Sequence, residues 1–114
     1  MSAANIRETI AGLLRTIASK DEQLDYARQM GDSVPPQEMD CGWFDDMYHP
    51  DDPQFLEAFT VTERDRLAAF HAVYAAHNHR LPMSLDDRLE NPAWAEVMAA
   101  AQRVVEEFGW GEGG

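Results

Sequence analysis

Asn91-Pro92-Ala93-Trp94-Ala95-Glu96-Val97-Met98-Ala99-Ala100-Ala101-Gln102-Arg103-Val104-Val105-Glu106-Glu107-Phe108-Gly109 is the stretch that decides the fold class. Asn91 brings a side-chain oxygen that can cap free amides, and Pro92 stands at the first helical position, where its missing N–H is not needed. Trp94, Val97, Met98, Ala101, Val104, Val105 and Phe108 then recur at three- and four-residue intervals, the period of a helix with one buried face. Gly109 supplies a stop, and the remaining Gly111-Glu112-Gly113-Gly114 is expected to fray.

The same period returns on either side of the middle of the chain. Residues 3–18 place Ile6, Ile10, Leu13, Leu14 and Ile17 on one helical stripe, and Ser19-Lys20-Asp21-Glu22 has the form of a capping box that opens or continues a helix. Leu24, Ala27 and Met30 extend the stripe to Gly31, where Pro35-Pro36 is expected to end helical structure. Farther on, Thr62-Glu63-Arg64-Asp65 predicts a helix start that carries Leu67, Phe70, Val73, Tyr74 and His77 inward and ends near Asn78 or His79. Ser84-Leu85-Asp86-Asp87 offers a cap for one further short turn. No segment alternates apolar and polar residues, so the expected fold is all-α: a single domain over 1–114, an irregular small bundle of four to five helices. Its 114 residues suffice to bury a core without disulfide or metal, and 45% hydrophobic content is that of a folded domain, not of a disordered acidic chain.

Residues 31–62 read as a long acidic loop punctuated by Pro35, Pro36, Gly42, Pro50 and Pro53. One short helical turn is legible inside it, with Asp52 as cap, Pro53 at the first position and Phe55, Leu56 and Phe59 on one face. From Gln29 to Glu63 the chain has no Lys or Arg, yet holds Asp32, Glu38, Asp40, Asp45, Asp46, Asp51, Asp52, Glu57 and Glu63. Of the formal charge of −12, residues 1–30 contribute zero, 31–63 contribute −9 and 64–114 contribute −3. Folded surfaces normally intersperse both signs, so segregation of this kind points to a partner and not to the fold. Trp43, Phe44, Tyr48, Phe55 and Phe59 share the segment, and large rings among carboxylates suit contact with a basic protein; a long loop around a small bundle must also be pinned by buried rings, so Trp43, Phe44, Tyr48 and Phe55 are expected to divide between structural anchors and exposed binding anchors. Asp40, Trp43, Phe44, Asp45, Asp46, Tyr48, Asp51 and Asp52 are the expected partner-binding residues.

Other chemistry is poorly supported. His71, His77 and His79 lie close in sequence, but His77 and His79 point apart on a helix and no fourth ligand stands at metal-binding spacing, so structural roles are expected and no metal. Asp45 to Asp52 lacks the alternation and central glycine of a calcium loop. Cys41 is the only cysteine; with carboxylates around it the thiol should resist ionisation, and it can form no internal disulfide. Asp45-Asp46 and Asp86-Asp87 have no nucleophile or pocket motif beside them, and phosphate loops and dinucleotide fingerprints are absent, so neither enzymatic activity nor a cofactor is expected. The negative charge argues against direct contact with nucleic acid or anionic lipid. No run approaches the roughly 18 apolar residues of a membrane span, and the first residues lack the form of a secretory signal, so the expected location is cytoplasmic.

In size, acidity and lack of catalytic motif the chain resembles the immunity proteins of bacterial toxin systems of the contact-dependent growth inhibition type. The resemblance implies a protein that binds a cognate basic toxin, such as a nuclease, and covers its active site or substrate cleft. The alternative expectation is a regulatory or assembly subunit that packs through the apolar faces of residues 3–30 and 92–108.

Overall fold

A computed structural model of the chain describes residues 2–30 and 35–111. Gly31, Asp32 and the last three residues, for which a helix stop, an acidic contact and fraying were expected, lie outside the described residues. Helices α1 (Ala3–Ala18) and α2 (Lys20–Met30) are followed by α3 (Pro35–Cys41), which runs directly into a π-helical segment, Gly42–Met47. Then come α4 (Pro53–Ala58), α5 (Val61–His77), a 3₁₀ turn at Asn78–Arg80, α6 (Leu85–Leu89) and α7 (Pro92–Phe108). No strand occurs among the described residues, and the fold is the all-α bundle that the periodicity predicts.

The boundaries follow local chemistry. Asn91 Oδ1 accepts from the amides of Ala93 and Trp94, and Gly109 closes α7 in the left-handed conformation at φ 67°. Ser19 breaks the first helix and its Oγ caps the second by accepting from the Glu22 amide. Helix α5 begins earlier than Thr62: Thr60 Oγ1 accepts from the Glu63 amide while the Glu63 carboxylate accepts from the Thr60 amide, a reciprocal capping box.

Helices α1 and α7 pack along each other, with α5 against α7 and α4 against α1. Ile10, Leu14, Ile17, Leu67, Phe70, Tyr74, Trp94, Val97 and Ala101 form the centre of one buried cluster. The apolar faces of α1 and α7 therefore meet inside the protein. Among the described residues the exposed large hydrophobic side chains are Leu56, Val61 and Met83. None of the described helices is long and apolar enough to cross a membrane.

The acidic segment departs from the expected loop. Pro35 and Pro36 open a helix instead of forbidding one, because proline in the first helical turn removes no needed hydrogen bond. Asp52 Oδ1 accepts from the Gln54 amide (2.8 Å) and Pro53 starts α4, as the sequence predicts. Most of 35–58 is thus short helices joined by tight turns.

Candidate functional site

The acidic segment is held to the bundle at three points. The first is Asp40 at the end of α3. Its carboxylate receives two parallel hydrogen bonds from Arg88 (Nη1–Oδ1 2.8 Å, Nη2–Oδ2 3.1 Å) and a short one from the Tyr74 hydroxyl. Arg88 is 0% exposed, donates through Nε to the Pro82 carbonyl (2.7 Å) and lies 4.8 Å from the centroid of the Trp94 ring. Trp94 in turn donates to Gln23 Oε1 (3.1 Å), and Gln23 donates to the Ile17 carbonyl (2.9 Å). This buried chain of polar groups ties α1, α2, α3, α5, α6 and α7 together, each member satisfying the next.

Trp43 is the second point. Its ring is 0% exposed, stacks on Tyr48 (centroids 4.8 Å, planes 16° apart) and meets Phe70 edge-on. The indole N–H donates to His71 Nδ1 (3.1 Å), and Tyr48 also stacks on His71. Burial pushes the His71 imidazole below its ordinary value, consistent with a neutral ring whose Nδ1 accepts. The third point is Phe55 of α4, buried against Tyr48 and Phe59.

Between these anchors the backbone widens into the π turn, in which the Tyr48 amide donates to the Trp43 carbonyl five residues back (2.9 Å). Such turns are rare and recur at functional sites. His49 Nε2 donates to the Asp45 carbonyl (3.0 Å), closing the turn with a side chain.

The expected binding residues divide accordingly. Trp43 and Asp40 belong to the interior, which corrects their assignment to a contact surface: a small bundle needs large groups to pin a proline-rich segment, and these two serve that purpose. Phe44 and Tyr48 are half-buried, Phe44 against Tyr74 and His71. Asp45, Asp46, Asp51 and Asp52 are exposed, as are Glu38 and Glu57. None of these six carboxylates has an ion-pair partner among the described residues. Glu63, by contrast, is consumed internally: Arg7 donates to both of its oxygens (2.7 and 2.6 Å) and holds the carboxyl below the usual range. Arg7 also sits over the rings of Phe59 and Trp110.

Cys41 is half-buried, and desolvation together with the charges of Asp45, Asp40 and Glu38 pushes its thiol up, so it is not poised as a nucleophile. His77 contacts Glu96 (2.6 Å) and His79 is exposed; no group of three or more His, Cys, Asp or Glu among the described residues is placed to hold a metal ion. An open groove of about 500 Å³ runs beside the π turn, lined by Cys41, Phe44, Asp45, His79, Leu81 and Met83. Neither Arg88 nor Met83 is conspicuous in the sequence. The one hint of Arg88 is its place between Leu85 and Leu89, on the spacing that faces inward. Comparison with protein-family models, with curated proteins and with solved structures finds no match to this chain.

Proposed function

We propose that this chain is a binding protein of the immunity type: a non-catalytic cytoplasmic domain that docks its acidic face on a basic toxin, a nuclease being the kind of target that fits, and covers the cleft. The observation that carries the reading is the set of six exposed carboxylates, Glu38, Asp45, Asp46, Asp51, Asp52 and Glu57, with no ion-pair partner among the described residues, on a segment anchored at Asp40, Trp43 and Phe55. Self-repulsion among like charges costs stability, and a fixed scaffold keeps that charge aimed outward instead of letting it spread. A nuclease cleft built for phosphates would meet carboxylates in their place, and the long-range field would speed encounter by roughly 10- to 1000-fold over an uncharged pair, less at high salt. The alternative, assembly with another subunit through the apolar faces of residues 3–30 and 92–108, draws less support, since the apolar faces of α1 and α7 pack in the core.

The test is purification of the tagged protein from its native host and identification of the basic protein that accompanies it, followed by association kinetics. Asp45→Asn with Asp46→Asn should lower the association rate by about tenfold at low salt and leave the dissociation rate nearly unchanged. A partner of no net basic character, or an association rate indifferent to both charge and salt, rules the reading out.

A further inference from the structure

Within that proposed binding face the groove beside Phe44 has a more specific chemistry. Its apolar lining comes from Phe44, Leu81 and Met83, and Met83 is 52% exposed, a large thioether left facing solvent. Its polar lining comes from Asp45, Gln37, Asn78, His79 and Asp40, the last already held by Arg88. The volume of about 500 Å³ lies within the roughly 300–1,000 Å³ of ordinary ligand pockets, but the groove is open and part of a charged surface, which suits a side chain presented by a protein more than a free small molecule.

The protein already shows how it holds such a side chain. Three arginines pair with carboxylates across the fold, and the two less exposed ones share one arrangement, a guanidinium bound to two carboxylate oxygens with aromatic rings beside it: Arg88 with Asp40 over Trp94, and Arg7 with Glu63 over Phe59 and Trp110, whereas the more exposed Arg66 holds Glu107 with no ring contact. Phe44 and Asp45 both line the groove, which so offers a ring and a carboxylate at the surface, and no arginine of the described residues pairs with Asp45. We infer that this groove receives an arginine side chain of the basic partner, with its aliphatic stem laid along Phe44, Leu81 and Met83 and its guanidinium on the Asp45 carboxylate. Arginine fits better than lysine because a planar fork matches a carboxylate with two bonds and stacks on a ring, whereas an ammonium is a strongly hydrated point charge. The inference rests on the reading of the acidic face as a docking surface.

Cys41, the sole cysteine and part of the groove wall, gives a direct reporter. The probe is a short lysine–glycine peptide with one central arginine, compared with a twin carrying neutral citrulline there, and the readout is the rate of Cys41 alkylation by iodoacetamide as peptide is added. The arginine peptide should protect Cys41 at about tenfold lower concentration than the citrulline twin, equivalent to 1.4 kcal/mol. Each variant is compared with itself in the absence of peptide, since Asp45 also influences the thiol. Asp45→Asn should erase the difference between the two peptides. Met83→Ala, at an exposed position where folding is not at stake, should weaken protection by both. Equal protection by both peptides, or no protection at saturating arginine peptide, overturns the inference. Backbone amide shifts at Asp46, Asp51 and Asp52 recorded in the same titration report whether the acidic face still binds, so the groove and the face can fail separately.

Discussion

Replacing Arg88 by Met keeps the aliphatic stem of a fully buried side chain and removes its charge. Lost with it are the two bonds to Asp40 and the bond to the Pro82 carbonyl, while the Asp40 carboxylate stays behind with only the Tyr74 hydroxyl. Breaking a buried ion pair from one side costs about 3–5 kcal/mol, because the remaining charge is left without compensation. A domain of this kind has a total stability of about 5–15 kcal/mol, so the loss is a large fraction of the whole. At roughly 4 °C per kcal/mol the midpoint of thermal unfolding should fall by about 12–20 °C. Asp40→Asn should also destabilise, since it strands the buried guanidinium. In the double variant the two losses should not add, with a coupling of about 2 kcal/mol, because neither charge is then abandoned, and Asn can still accept from Tyr74. Urea unfolding followed by tryptophan fluorescence measures all four proteins of the cycle, provided the denaturant slopes agree. Loss of under about 1 kcal/mol in Arg88→Met, the range of an exposed pair, or simple additivity in the double variant, refutes the role given to this pair.

Three further expectations follow from the same packing. Trp43→Ala should cost about 3–5 kcal/mol in chemical denaturation by opening a cavity under the π turn, so any loss of partner binding in that variant should track loss of folded protein. His71 is held low by burial, so the folded state prefers the neutral ring: its contribution is complete above the unfolded value near 6.5 and is lost as pH falls from there through the folded value. His71→Gln, which retains an acceptor for Trp43, should flatten the decline in stability between about pH 7 and about pH 5, and an unchanged decline counts against this assignment. Gly42 lies in helical structure with negative φ, and a methyl group there would meet only the Leu13 side chain at ordinary contact distance (3.7 Å). Gly42→Ala should therefore raise stability by about 0.5–1 kcal/mol in the same urea assay, and a decrease would mean that the π turn needs glycine for another reason.

The bundle itself was legible because long helices advertise themselves by period and cap. Asn91, Pro92 and Gly109 bound α7 where their chemistry says they should, and the stripes on α1 and α5 point inward. The acidic segment was less legible. Proline at 35 and 36 breaks a helix or begins one depending on what precedes it, and short helices such as α3 and α4 owe their stability to tertiary anchors and not to period. Sequence reading places the start of α5 two residues late, at Thr62, because Thr62-Glu63-Arg64-Asp65 has the form of a helix start, and it misses the capping box of Thr60 with Glu63. That some rings of the segment must be buried to pin it was legible, but not which of Trp43, Phe44, Tyr48 and Phe55, and burial of Asp40 was not legible, because the partners His71, Tyr74 and Arg88 are distant in sequence and charge alone does not tell which acids find an arginine. Of the acids expected at a contact surface, Asp45, Asp46, Asp51 and Asp52 are the exposed ones.

The π turn sets a strict rule on length. In an α-helix each residue advances the chain by about 100°, so removing one residue between Gly42 and Met47 would restore ordinary winding and swing everything after it by that angle relative to everything before. Asp40 on one side is locked to Arg88, and Tyr48 on the other is sandwiched against Trp43 and His71. Both grips can hold at once only with the extra residue in place. In a library scored for folded protein the segment should accept many substitutions at Asp45 and Asp46 and no deletion, a pattern that separates geometric constraint from the chemical constraint of binding.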